Sequence, residues 1–564
     1  MFIQVQKGGK GRYAHLAASE WVPEKKMPRQ VRTYLGRVVE VGGREEVAVS
    51  RGLVGGRKVT VPLSELKEQA KAGNDVLAYL VGEAEKRGKG GLVGDLPTGV
   101  QEVGCSHVLY RALEESGLGR ALTEAYGRRD GLALALLGMQ AVADGRPLYL
   151  AAHWIAESAA AAGLGAFDFS SPGLSRFMRR IGEDRESLDK FLGLWVAACG
   201  RPAALAMDTT SISTWAEELD LAEWGHNRDH EKLPQVNLAL VCARETGTPL
   251  AYRLLRGSVP DVSSLKVTEE LLAEYGLAEV SHALDRGFYS NANLRRMMQT
   301  GRKFVVGVPF SVKQAVRLVR RHARRLQAVR RSFLWRGRVT RHVEDVWQVA
   351  DEDGKELRIR AHVYFEPARQ ASRREEIEQR VFLLEAKAGE EKFRRRQEAV
   401  EWLRENAGAL AGCFGIKAEG GLFRAVRKPN RIARMAAHVG YSVLLTNDPA
   451  ADRDQVLRDY RSRDRLEKLF DNLKNELARH RLRTGSDEIA EGRMLTCFLG
   501  LVLRSWVEHR LEASALHKDL TVPEILAELA RLKAVRFQSG RRVLLEVTRK
   551  QREIIAALDL PGPE

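Results

Sequence analysis

The chain has 564 residues, 44% apolar and 29% charged, values that suit globular domains with a sizeable core and exclude disorder. Lys plus Arg number 91 against 74 Asp plus Glu, a formal charge of +17, and a strongly basic soluble chain most often faces a polyanion such as nucleic acid. No stretch reaches the roughly 18 uncharged apolar residues of a membrane span, the opening MFIQVQKGGKGRY lacks the apolar run of an export signal, and five cysteines without a CxxC pair fit a reducing cytosol rather than a zinc finger or disulfide scaffold.

Residues 1–95 read as short alternating strands and turns, and KRGKGGLVGDLPTG at 86–99 as a linker. Residues 96–200 turn to Ala, Leu and Gly with helical spacing. There Ser171, Pro172 and Gly173 precede an Arg-bearing helix, a pattern that suits a DNA-binding turn and helix as well as a plain packing module. From Ala204 the texture is strand, hairpin (236–257), strand, helix, strand, the order expected of a mixed sheet flanked by helices, over 201–310.

Residues 311–440 interrupt that order. From Ser311 to Arg341 there are eleven basic residues and no acid, with Arg320 and Arg324 on a predicted amphipathic helix. The plain alternative is a solvated face, but one so uncompensated repels itself unless an anion lies against it. Aromatic-rich strands follow over 333–365, then a charged helical stretch over 368–407. GYSVLLTND restores a strand at 440–448, and two helices, 452–480 and 487–513, belong to a second core segment, 441–515. A tail, 516–564, is predicted to be helical and to serve dimerisation.

Two acids stand where apolar runs end, Asp208 in ALAMDTT and Asp285 in HALDRGFYS; each alone is as readily a turn or cap residue. The stretch DYRSRDRLEKLFDNLKNELARH adds weight to both. On one helix its Tyr460, Arg463, Glu467 and Lys474 fall within roughly 60° of arc, at the boundary of an apolar stripe. A surface i, i+4 pair accounts for Arg463 and Glu467 but not for the shared arc. Three carboxylates suit phosphodiester chemistry, because two Mg²⁺ ions about 4 Å apart activate the nucleophile and stabilise both oxygens of the displacement.

With those residues in view, the chain resembles the DDE-type transposases of bacterial insertion sequences, in the branch with a Tyr-x2-Arg-x3-Glu-x6-Lys signature. Tyr460, Arg463, Glu467 and Lys474 match it residue for residue. Asp208 with Thr210, and Asp285 with Arg286, Gly287, Phe288 and Tyr289, match the contexts of the first two acids. Gly225, Asp229, Gln235 and Asp261 agree with one subfamily, while Asn227, Arg228 and Ser258 replace its usual Ser, Lys and Asn. Asp464 stands where an aromatic residue is frequent.

The resemblance implies a ribonuclease H-like α/β core with a β-rich insertion between Asp285 and Glu467, after a small β-rich region and a helical DNA-binding region. It implies Asp208, Asp285 and Glu467 as catalytic metal ligands for Mg²⁺, with Mn²⁺ a substitute. It implies contacts to double-stranded DNA, at terminal inverted repeats and target, from Tyr460, Arg463, Lys474, Arg286, Arg320 and Arg324. Trp335, flanked by Arg336 and Arg338, is a candidate for stacking on a flipped base, against the plainer reading of a packed tryptophan. A homodimer on paired ends and a bacterial cytoplasmic, nucleoid-associated location are expected. No phosphate-binding G-x-x-x-x-G-K-[ST] loop occurs, so no nucleotide cofactor is expected. His226, His230 and Glu231 lack a metal-site spacing and read as a substrate loop, and His480 as a cap or phosphate contact. The rival readings are a structure-selective nuclease or resolvase on the same fold, and a DNA-binding regulator descended from a transposase.

Overall fold

A computed structural model describes the chain except residues 9–10, 23–26, 56–58, 88–96, 162–163, 226, 228–230, 278–279, 351–355, 478–480 and 564. His226, Arg228, Asp229, His230, His480 and most of the expected linker at 86–99 therefore lie outside the described residues. The chain divides into two units, one formed by Met1–Cys199 with Asp471–Glu564 and one by Gly200–Phe470.

The period-2 pattern of the first sixty residues becomes an antiparallel meander. Its strands, β1 (Phe2–Gly8), β2 (Gly11–Val22), β3 (Met27–Val41), β4 (Arg44–Val49) and β5 (Thr60–Pro62), pair in sequence order. β3 and β4 are joined through Gly42 and Gly43, both at positive φ, which a two-residue hairpin of this hand requires. Leu35, Val47 and Val61 line one face and are covered by Leu66 of α1 (Leu63–Lys71) and Leu80 of α2 (Val76–Arg87). After β6 (Pro97–Glu102) come α3 (Gly104–Glu115), α4 (Leu118–Ala143), α5 (Ala151–Glu157), α6 (Ser171–Glu183) and α7 (Arg185–Cys199). The Ser-Pro-Gly signal starts α6: the Ser170 hydroxyl accepts the Gly173 N–H at 3.2 Å and Pro172 stands in the first turn.

The second unit holds a mixed sheet. Its strands are β7 (Ala204–Thr214), β8 (Gln235–Ala243), β9 (Pro249–Arg256), β10 (Ser281–Leu284) and β11 (Phe304–Gly307), with α8 (Asp261–Glu274) and α9 (Asn291–Gln299) between the later ones. Next in the chain are α10 (Lys313–Gln327), β12 (Ser332–Trp335), β13 (Arg338–Ala350), β14 (Glu356–Phe365), α11 (Pro367–Glu390), α12 (Arg396–Ala407), β15 (Phe414–Glu419), β16 (Leu422–Arg427), α13 (Pro429–Ala436) and β17 (Tyr441–Thr446). Across this unit the strands lie in the order β12-β13-β14-β17-β11-β10-β7-β8-β9. β10 runs parallel to β7 and β11, and the other neighbours are antiparallel. β8 and β7 are buried along their whole length, as inner strands covered on both faces must be.

The stretch expected as a β-rich insertion divides in two. β12–β14 extend the central sheet, because β14 pairs with β17 through Val363↔Val443 and its neighbours, and α10 packs its Ala315, Leu318, Val319 and Leu326 face beneath them. Residues 367–436 form a separate helical lobe around the β15–β16 hairpin.

The signature stretch, expected as one helix, is three pieces. α14 (Arg453–Arg461) ends at a turn, where the Ser462 hydroxyl donates back to the Asp459 carbonyl at 2.6 Å. α15 (Asp464–Asn472) follows, and a π-helical turn over Leu473–Leu477 carries Lys474. In the first unit, α16 (Asp487–Glu512) is buried on nearly every side and crosses α6 where Gly182 and Gly492 leave room for backbone contact. A Cβ on Gly492 would stand 2.2 Å from the Met178 carbonyl. α17 (Val522–Leu529), strands Lys533–Phe537 and Arg542–Leu544, and α18 (Arg549–Ala557) close the chain. The tail pairs within its own chain: Lys533–Phe537 lies against β6 through Val535↔Val100.

Candidate active site

Parallel pairing of β10 with β7 fixes the first feature of the site. Leu284 is opposite Met207, so Asp208, next along β7, and Asp285, the residue that follows β10, are brought to the same end of the paired stretch. Asp208 is 5% exposed within β7, and its Oδ1 accepts the Thr209 N–H at 2.8 Å. Asp285 follows the end of β10 and stands just before the short 3₁₀ turn Arg286–Phe288, without a side-chain bond to it.

The turn between α14 and α15 delivers the rest. Arg463 is buried, its side chain 7% exposed, and its guanidinium is shared between two of the acids. One terminal nitrogen donates to Asp285 Oδ1, and the other reaches Glu467 Oε1 at 3.5 Å. Its carbon lies 4.7 Å from the centre of the Tyr460 ring, and the Tyr460 hydroxyl donates to the same Asp285 oxygen at 3.4 Å. Burial disfavours the guanidinium charge, but Tyr460, Asp285, Asp208 and Glu467 outweigh it, and the arginine pKa lies above its ordinary value. Burial is also the leading cause that raises the Tyr460 pKa, so the phenol is a neutral donor.

The expected ligand set is therefore not gathered. Among the described residues no group of three or more His, Cys, Asp or Glu could hold an ion. Asp208 and Asp285 are neighbours at the end of the β7–β10 pairing, while Glu467, with its side chain 64% exposed, is linked to Asp285 through Arg463. The reason is electrostatic: three carboxylates repel at close range, and here the counter-charge between them is a guanidinium. The donors nonetheless suit a hard divalent cation, since all three are carboxylates, with no thiol or imidazole in the set.

Glu467, Arg463, Tyr460 and Arg286 form one wall of a cleft of about 570 Å³. Arg369, Arg373 and Arg380 of α11 line it as well, and Phe310 and His438 stack there at 4.9 Å and 23°. The sequence reading missed these residues; a repeated arginine at 369, 373 and 380, one face of a helix, was the available signal. Arg320, exposed on α10, is near enough for its charge, after burial, to help lower the His438 pKa. Arg324 is exposed on the same helix.

Two expected residues are packed and do not line the cleft. Trp335 packs against the cluster that includes Val305, Tyr364, Leu444 and Val456, which is the packed-tryptophan alternative; the outward residue of β12 is Leu334, 73% exposed. Lys474 is 8% exposed and belongs to the first unit, in its π-helical turn.

The family model described as a Transposase DDE domain matches residues 200–503, more than half of the chain. The chain belongs to the DDE transposase family. The match takes in the whole second unit and the chain beyond it as far as the middle of α16. No curated protein matches this transposase. Among solved structures, a cryo-EM structure of the piggyBac transposase synaptic complex with hairpin DNA aligns over 76% of each chain, at 10% identity and a TM-score of 0.32.

Proposed function

We propose that this transposase binds the terminal inverted repeats of an insertion sequence, cleaves the ends and joins them to target DNA, using Asp208, Asp285 and Glu467 as the ligands of divalent cations. The observation that carries the reading is the parallel register of β7 and β10, which ends at Leu284↔Met207 just before Asp285 and Asp208, with Glu467 tied to Asp285 through Arg463. The strand order β9-β8-β7-β10-β11, in which only β8 opposes the others, supports a ribonuclease H-like core.

Mg²⁺, or Mn²⁺ in its place, supplies activation of the attacking oxygen and stabilisation of the leaving one when bound. The chain does the rest. Asp208 and Asp285 are held by the sheet, so their spacing is set before DNA arrives. Glu467 is the exposed carboxylate. Tyr460 orients Asp285 by donating to it, and Arg286, which lines the cleft, is available to a backbone phosphate. The exposed arginines of α10 and α11 offer phosphate contacts along the approach. A homodimer on paired ends follows from the need to bring two ends together.

The test is strand cleavage and strand joining on a labelled inverted-repeat end with Mg²⁺, comparing wild type with Glu467→Gln. Loss of both reactions in the variant supports the assignment, and equal cutting by both proteins overturns it. Cutting that ignores the repeat and never joins strands would favour the nuclease reading.

A further inference from the structure

We propose that Arg463 is a built-in stand-in for the catalytic cation: it neutralises the acids before metal and DNA arrive, and must leave Asp285 and Glu467 for the cation to bind. This rests on the reading of the three acids given above. It differs from the backbone-contact role expected of this residue, because the guanidinium faces inward. Its two terminal nitrogens are directed at Asp285 and Glu467, its Nε is buried with no hydrogen-bond partner, and the Tyr460 ring covers its face. Little of the group remains to meet a phosphate in this arrangement.

Three observations support an exchange. Asp285 gives the same oxygen to Arg463 and to Tyr460, so a cation at that oxygen competes directly with the arginine. The contact to Glu467 is long, 3.5 Å, and Glu467 is the exposed partner, so this is the weaker end of the bridge. Arg463 also lies at the wall of a cleft lined by other arginines, so an incoming phosphate offers it a new anionic partner as the acids pass to the metal. Metal and DNA loading are then coupled through one positioning residue: phosphate draws the guanidinium away, and the vacated carboxylates take the ion.

The experiment measures Mn²⁺ binding to the full chain by calorimetry without DNA, for wild type, Arg463→Gln, Arg463→Lys and Glu467→Gln, with melting temperature with and without Mn²⁺ for each. Arg463→Gln should bind Mn²⁺ at least about fivefold more tightly than wild type, a typical coupling between linked sites. Its metal-free form should melt lower and gain more from Mn²⁺. Arg463→Lys, which keeps a charge but loses the two-pronged geometry, should fall between. Unchanged or weaker Mn²⁺ binding in both arginine variants, where both still fold, overturns the exchange. Glu467→Gln separates the two readings: if it leaves Mn²⁺ affinity at the wild-type value, the site assignment itself fails. If it weakens binding while the arginine variants do not strengthen it, only the exchange fails.

Discussion

Asp208 and Asp285 differ from Glu467 in how they are held, and their variants should differ too. Asp208 lies within β7 and Asp285 directly follows β10, so Asp208→Asn or Asp285→Asn removes a proposed ligand at the end of the registered stretch. Cleavage of a labelled end should fall about 10³-fold or more, roughly 4 kcal/mol of transition-state stabilisation, and Asp285→Asn, which takes the counter-charge from buried Arg463, should also melt lower. Gly307 offers a subtler test. A Cβ there would meet the Tyr460 hydroxyl at 2.6 Å and Arg286 Cγ at 2.8 Å, so Gly307→Ala must displace these side chains, including the hydroxyl that donates to Asp285. The expected cost is about 1–3 kcal/mol of stability with a clear drop in cleavage rate, read by melting and single-turnover assays. An alanine variant that melts and cuts like wild type would show that Tyr460 does not depend on that close approach.

At the scale of elements, the β12–β13 hairpin separates two neighbouring residues by face. Arg336 and Gly337 at its tip both have positive φ, the turn that keeps the Trp335↔Arg338 register. Trp335 therefore points into the core and Leu334 away from it. Trp335→Ala should cost about 3 kcal/mol in chemical denaturation, whereas Leu334→Ser should stay within about 0.5 kcal/mol. The next pair of strands carries a pH response. His342 and His362 touch at 3.0 Å, and burial first, then for His342 the charge of its neighbour, holds both well below the usual histidine range. Unfolded histidines take up protons below about pH 6.5 while these stay neutral in the fold. Their share of stability is thus whole above that pH and is lost as pH falls toward the folded values. Melting should be flat above pH 7 and decline from about 6.5 downward, and replacing both histidines with Phe should reduce that decline, with buried His282, also held low, supplying part of the remainder.

For the whole molecule the relevant quantity is the excess of 91 basic over 74 acidic residues. DNA affinity should fall steeply between 50 and 200 mM salt, with a log–log slope set by the number of phosphates contacted. If Arg320 and Arg324 each meet a phosphate, the double alanine variant should reduce that slope by about 1.8 and weaken binding to specific and random duplexes alike. An unchanged slope would place the DNA path away from α10.

What the linear chain determined here is what depends on local spacing and composition: the basic excess, the Tyr460–Arg463–Glu467–Lys474 interval, the contexts of Asp208 and Asp285, and the start of α6 at its Ser-Pro-Gly signal. The tertiary structure decided which distant segments meet. Asp208 and Asp285 become neighbours only because β10 lies parallel to β7 in one register, and strand register depends on the assembly of the whole sheet. β12–β14 join that sheet rather than form a separate domain because β14 finds its partner in β17. Arg463 faces carboxylates instead of solvent because the chain turns at Ser462, where a short side chain bonds back to the helix and breaks the continuous arc that 3.6-residue spacing alone would give. Spacing along a helix is a local property, but the partner of a buried charge is set by the fold around it.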